Sequence, residues 1–167
     1  APARRQPIST TSHATPAAVY SHSAGRDWEG DADMKPEDIA KGCVDIARQL
    51  VEMKAGDGLE VAMGGGRSRF LRADQADPEY ADKKGTRKDG RDLTKAWLDR
   101  YGRNASYIWN KQAFDALNPA TAGHVLALFE HEHMQFELDR AKDKAGEPSL
   151  AEMTTKAIQI LQRNPKG

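Results

Sequence analysis

The stretch Lys54-Ala55-Gly56-Asp57-Gly58-Leu59-Glu60-Val61-Ala62-Met63-Gly64-Gly65-Gly66 decides the fold class. Its first five residues end a helix, residues 59–63 read as a short strand, and three glycines stop that strand. A helix, a turn and a strand that ends in glycines predict an α/β layer. The glycines allow close backbone approach or a positive φ. They do not make a P-loop, because the GxxxxGK[ST] spacing is absent.

Upstream of this stretch, Pro36 opens the clearest helix. Ile39, Cys43, Ile46, Ala47, Leu50 and Val51 fall on one apolar stripe at helical spacing. Residues 24–35 read as an acidic loop. A short helix is predicted from Thr15 to about His22, with Thr15 as N-cap and Pro16 at the first helical position. Residues 1–12 show no apolar periodicity and read as an N-terminal arm, frayed or holding one short strand around Ile8.

Downstream, residues 67–91 form a long polar stretch. Loops of this length are usually functional or stabilised by something bound. Asp92 to Tyr101 reads as a helix with Leu93, Trp97 and Tyr101 on one face. Ala105 to Trp109 reads as an aromatic-rich strand, and Asn110 as the cap of a short helix to Leu117. His124 to Phe129 is an apolar run that suits a buried strand, and Glu130-His131-Glu132-His133 follows it. Residues 139–148 are a charged loop. Ser149-Leu150-Ala151-Glu152 is a capping box that opens a last helix through Met153, Ala157, Ile158 and Leu161. Asn164-Pro165-Lys166-Gly167 looks like the approach to another strand. There is no internal repeat and no low-complexity tract.

The bulk numbers exclude some classes of function. The 167 residues suffice for one domain with a core. Lys and Arg number 25 against 25 Asp and Glu, so no net field points to nucleic acid or an anionic membrane. Only 38% of residues are hydrophobic and 30% are charged, which suggests a thin core, long loops, or a piece that leans on something else. No apolar run approaches a membrane span and no signal-peptide core is present. The first residue is Ala1, not methionine, so the chain reads as processed, cut or partial. The single cysteine, Cys43, excludes an internal disulfide and is either a core thiol or half of a bridge made elsewhere.

Three groups of residues are chemical candidates. Thr15, His13 and Arg26 read either as a capped helix with a surface arginine, or as one wall of a phosphate and metal site. In the second case a hydroxyl serves as ligand and a guanidinium grips phosphate oxygens. Glu79, Glu130 and Glu147 each follow a predicted element. They are either unrelated solvated acids or oxygen ligands for a hard cation. His131 and His133 alternate after a strand, as zinc ligands can, but no third ligand stands at a diagnostic spacing and a surface turn explains them. Asn104-Ala105-Ser106 is a glycosylation sequon only in a eukaryotic secretory context. No serine stands in a GxSxG elbow, so a catalytic triad is not supported. The Trp and Tyr positions suit core packing better than base stacking.

Taken in order, these segments resemble alkaline phosphatases over nearly the whole chain. The matching stretches begin with His13-Ala14-Thr15-Pro16-Ala17-Ala18, Tyr20-Ser21-His22-Ser23, Arg26-Asp27-Trp28, Asp31-Ala32-Asp33 and Asp45-Ile46-Ala47-Arg48-Gln49-Leu50. They continue with Met63-Gly64-Gly65-Gly66-Arg67, Asp77-Pro78-Glu79-Tyr80, Gly85-Thr86-Arg87-Lys88-Asp89-Gly90, Tyr107-Ile108-Trp109-Asn110 and Leu126-Ala127-Leu128-Phe129-Glu130. The last run from Pro148-Ser149-Leu150-Ala151-Glu152-Met153 through Ile158-Gln159-Ile160-Leu161 to Asn164-Pro165-Lys166-Gly167. The pattern is that of the animal-type branch, which also occurs in bacteria, because His13 stands where some bacterial enzymes carry aspartate.

The resemblance implies an alkaline phosphatase-like α/β fold, a central sheet flanked by helices, as an incomplete segment over residues 13–167. It implies a phosphate monoester hydrolase that works through a phosphoserine and two zinc ions. By position, Thr15 matches the hydroxyl ligand of the magnesium site, His13 the neighbour that tunes it, and Arg26 the arginine that holds substrate phosphate. Glu79, the Phe129 carbonyl and Glu130 match ligands of a peripheral calcium site. Glu147 falls near that site's fourth ligand, usually an aspartate, after a loop of different length. His131-Glu132-His133 departs from the usual Pro-Gly-Asp.

The family's nucleophilic serine, its zinc ligands and the partner of Cys43 match nothing in this chain. The isolated chain is therefore expected not to turn over and to need the remainder of a phosphatase. The family also implies a homodimer in a periplasmic, secreted or cell-surface location, with no nucleic acid partner. The alternatives are a non-catalytic calcium- or phosphate-binding module, or a stable fragment of a larger enzyme.

Overall fold

Val125, Leu126, Ala127 and Leu128 offer no polar side chain to turn outward, and all four are fully buried. A run of this kind suits a strand covered on both faces. The computed structural model describes residues 9–12 and 14–165 and places this run at the centre of a three-stranded parallel sheet. The strands are β1 (Val61–Gly64), β2 (Ala105–Ile108) and β3 (His124–Leu128), in the order β1-β3-β2. Val61 lies opposite Val125 and Gly64 opposite Leu128, while Ala105 pairs with His124 and Ile108 with Ala127. All three strands stand close to where the sequence puts them, with β1 beginning two residues later and including Gly64.

Successive side chains of a strand point to opposite faces, so β3 feeds two cores. Val125 and Ala127 pack with Phe114, Phe129, Met153 and Ile160. Leu126 and Leu128 pack with Leu50, Phe70, Leu93 and Trp97. The first core lies under α5 (Lys111–Ala116) and α6 (Leu150–Leu161), the second under α3 (Ile46–Glu52) and α4 (Leu93–Tyr101). The sheet therefore lies between helical layers, as the α/β reading expects. Two short helices, α1 (Ala14–Val19) and α2 (Pro36–Ala40), precede these.

The caps follow the sequence closely. The Asp92 side chain accepts from Thr94 N and Lys95 N to open α4, and Asn110 accepts from Ala113 N to open α5. Ser149 and Glu152 form the reciprocal capping box of α6.

Two helical readings need correction. The helix expected from Pro36 through Val51 is two helices, broken between Ala40 and Ile46. Gly42 takes φ +88°, and Asp45 caps α3 by accepting from Arg48 N. Ile39 is consequently exposed, not part of the buried stripe. Thr15 lies inside the first turn of α1 and is not its N-cap, and α1 stops at Val19, short of His22. On α6 the buried residues are Met153 and Ile160, whereas Ile158 and Leu161 are exposed.

The 67–91 stretch is anchored from within. Phe70 and Leu71 are buried, and so are the guanidiniums of Arg67 and Arg87. Arg87 donates to both oxygens of Asp45 (2.9 and 3.0 Å) and to Asp89. Ser9–Ser12, the end of the expected arm, are buried, with Ser9 in a parallel bridge to Gly65 and Thr10 N donating to Gly65 O at 3.1 Å. Ile8 and the rest of that arm lie outside the described residues. Gly65 is also hemmed in from the other side: a Cβ there would stand 2.2 Å from Glu132 O and 3.0 Å from Met134 N.

Candidate metal centre

Parallel sheets place their chemistry beyond the carboxyl ends of the strands, where the following loops gather. Phe129 and Glu130 leave β3 at that edge. Phe129 N donates to Gly64 O at 2.8 Å, and the Phe129 ring sits edge-on to Phe114 at 5.7 Å. These contacts fix the direction in which the chain carries Glu130. The buried Glu130 carboxylate accepts from Tyr80 Oη (2.8 Å), Gln135 Nε2 (2.8 Å) and His131 N (3.1 Å).

The loop Asp77-Pro78-Glu79-Tyr80 supplies a second acid. Asp77 Oδ1 accepts from Glu79 N and Tyr80 N, which shapes the turn. Arg67 lies beneath it and donates to Asp77 (2.9 and 2.8 Å), Glu79 (2.8 Å) and Leu128 O (2.9 Å). His131 Nδ1 is 2.9 Å from the same Asp77. Burial favours protonated Asp77, but the hydrogen bonds from His131 and Arg67 outweigh it and hold the carboxyl well below the usual range.

Two further carboxylates come from the 139–147 segment. Asp143 follows the 3-10 turn Arg140–Lys142, and Glu147 precedes the start of α6. One oxygen each from Glu79, Glu130 and Asp143 lie within 4.8 Å of one another. Glu147 is 2% exposed; its Oε1 accepts from Gln135 N at 2.8 Å. Among the described residues, Glu79 Oε1, Asp143 Oδ2 and Glu147 Oε2 are buried and accept no hydrogen bond.

The electrostatics match this crowding. Burial pushes Glu147 up to about 8, and the carboxylates of Glu130, Asp143 and Glu79 add to the shift. Burial raises Glu79 as well; Asp143 reinforces the rise and Arg67 opposes it. Of these acids Glu79 accepts from the Arg67 guanidinium, which Asp77 also uses. Unpaired buried charge is costly. Orphaned oxygens on separate loops are what a hard cation with many oxygen ligands requires. The chemistry of the residues present, Glu79, Glu130 and Asp143 with Glu147 beside them, fits such an ion.

The sequence-predicted residues separate into two groups. Glu79, Glu130 and Glu147 come together, with Phe129 at the strand end beside them. Thr15 is exposed on α1, and Arg26 lies in the turn after it with its side chain 74% exposed and 3.8 Å from Asp27. His13 lies outside the described residues. The His131-Glu132-His133 bend is not a histidine-ligated metal site among the described residues. His131 is buried against Asp77 and Glu132 accepts from Ser68 Oγ at 2.9 Å, so the bend is only partly the surface turn expected. A cleft of about 690 Å³, lined in part by Tyr20, Trp28, Cys43 and Gln49, does not touch the acidic centre.

Asp143 is the residue that sequence reasoning missed. In a loop that also carries Asp139, Lys142 and Lys144, nothing local marks one acid as inward. Arg67 was missed as a site residue because arginine is ordinarily an exposed residue.

Comparison with known proteins follows the same lines. The family profile described as Alkaline phosphatase matches residues 7–167. The alkaline phosphatase of Gadus morhua is 43% identical over 166 residues, which cover 96% of this chain and 34% of that protein. The human tissue-nonspecific isozyme is 45% identical over 168 residues, covering 96% and 31%. The membrane-bound alkaline phosphatase of Bombyx mori is 40% identical over 167 residues, covering 96% and 30%. Among solved structures, Thermus thermophilus alkaline phosphatase superposes with a TM-score of 0.64 at 28% identity, over 95% of this chain and 26% of that one. The chain thus spans about a third of the length of the curated relatives it matches.

Proposed function

The chain belongs to the alkaline phosphatase family, and on that footing we propose that the protein carrying it hydrolyses phosphate monoesters. The observation that supports this most is the match across residues 7–167. Arg26 is assigned to the substrate phosphate. Its exposed guanidinium can give two parallel hydrogen bonds to nonbridging oxygens. Its ion pair with Asp27, at 3.8 Å and exposed, holds it only weakly.

Thr15 is assigned one oxygen ligand of a magnesium ion, with His13 beside it. In the family's reaction two zinc ions would supply activation of the nucleophilic serine hydroxyl and of the attacking water, and would offset charge on the leaving oxygen. The described residues do not fit zinc, since their one cluster of metal-capable side chains is all carboxylate. The acidic centre beyond β3 is assigned to calcium, with Glu79, Glu130, Glu147 and the Phe129 carbonyl as ligands. No helix among the described residues is long and apolar enough to cross a membrane. A periplasmic, secreted or cell-surface location and a homodimer complete the proposal.

Arg26→Ala in the intact protein tests it. Loss of a charge-assisted hydrogen bond costs about 1.5–3 kcal/mol, so kcat/KM for an aryl phosphate falls about 10- to 100-fold. Inhibition by inorganic phosphate weakens in parallel. A variant unchanged in both measurements overturns the assignment. A second reading, a cation-binding module without turnover, draws on the contrast between the buried acidic centre and the exposed Thr15 and Arg26. Calcium-dependent melting with no phosphate ester hydrolysis would favour it.

A further inference from the structure

The segment between Asp139 and Glu147 is fixed at both ends. Lys142 Nζ donates to Asp139 at 2.7 Å, and Arg140 pairs with Glu137 at 2.9 Å. At the other end Lys111 N donates to Gly146 O at 2.8 Å, and Arg140 Nη1 to Glu147 O at 3.3 Å. Asp139 and Glu137 are thus acids satisfied by basic neighbours on the surface. Asp143 differs. Its carboxylate reaches within 4.8 Å of ligand atoms of Glu79 and Glu130, and its Oδ2 is buried without a hydrogen bond among the described residues. Glu79, its side chain 2% exposed, leaves Oε1 unpartnered in the same cluster, and Glu147, 2% exposed, leaves Oε2 unpartnered close enough for the cluster's carboxylates to act on it. Like charges this close require a cation or a proton between them.

We propose that Asp143 is a further ligand of the cation held by Glu79, Glu130 and Glu147, making the centre a four-carboxylate site that suits calcium, or a trivalent ion of its size, over magnesium. This rests on the reading of the acidic centre as a calcium site. Affinity in oxygen-ligand sites rises with the number of charged ligands, and calcium accepts six to eight oxygens where magnesium demands a tight octahedron. The same ligand fastens the 139–146 segment to the end of β3, so that segment is held by the ion as well as by its own hydrogen bonds.

The experiment is a terbium titration of the calcium-depleted intact protein, with luminescence sensitised through Tyr80, whose hydroxyl lies 2.8 Å from Glu130 Oε1. Calcium competition then gives the calcium affinity. Asp143→Asn is expected to weaken calcium about tenfold or more, whereas Asp139→Asn leaves it unchanged. Thermal unfolding adds a change of sign: without the cation Asp143→Asn melts at or above the parent, and with saturating calcium it melts below. An Asp143→Asn protein that keeps parental calcium affinity overturns this inference. If Glu130→Gln abolishes binding in the same series, the calcium reading survives that result. A parent protein that shows neither terbium luminescence nor a calcium shift overturns both.

Discussion

Arg67 shows how much of the centre depends on one side chain. It is fully buried and ties Asp77, Glu79 and the Leu128 carbonyl together. Removing it leaves two carboxylates buried without their cation. Arg67→Met is therefore expected to destabilise the protein by about 3–5 kcal/mol, read as a lower urea midpoint with unchanged slope. The reverse substitution of a surface pair, such as Lys95→Met beside Asp99, moves the midpoint far less. At this scale the sequence was only half legible. Glu79, Glu130 and Glu147 could be named as candidates, and their carboxylates lie near one another at one end of the sheet. Arg67 and Asp143 could not, since their roles depend on burial and on segments that meet only in three dimensions.

Among the elements, α6 carries the clearest local signal. Ser149 Oγ accepts from Glu152 N at 3.2 Å, and Glu152 Oε2 accepts from Ser149 N at 2.7 Å. Ser149→Ala is expected to cost about 1 kcal/mol, measured by thermal unfolding. Glu152 is lowered to about 2, first by the bond from Ser149 N and then by Lys111. A carboxylate depressed in the folded state stabilises above its unfolded pKa, and that contribution disappears as pH falls toward 2. Glu152→Gln should therefore lower stability near pH 7, flatten the profile between about pH 4.5 and pH 2, and converge on the parent as pH approaches 2.

Caps of this kind are readable because motif and hydrogen bond lie within four residues. Which apolar positions of α6 are buried was not legible, because they exceed what one stripe can bury and only packing on the sheet selects Met153 and Ile160. The 36–51 stripe was misread because helical spacing continues across Gly42 although the backbone does not.

At the scale of the molecule, three segments meet beyond the sheet: 67–80, 129–135 and 139–147. The proposed cation would join them. An ion that binds only the folded state stabilises it by about 2.7 kcal/mol at 100 times its dissociation constant, so calcium is expected to raise the melting temperature and chelation to lower it, with scanning calorimetry as the measurement. The fold class was legible from the apolar run of β3 and from the helix-turn-strand stretch before Gly64. The order β1-β3-β2 was not, because it joins residues more than sixty positions apart and no local pattern encodes that pairing.

Gly65 gives the arrangement a further consequence. What presses on it is the main chain of Glu132 and Met134, with no side chain intervening. The close approach of strand end and bend is thus made by backbone, while the His131 and Glu132 side chains hold the bend through Asp77 and Ser68. Any side chain at position 65 would run into that backbone, so replacing this glycine must push the bend, and with it the start of the acidic loop, away from the strand end.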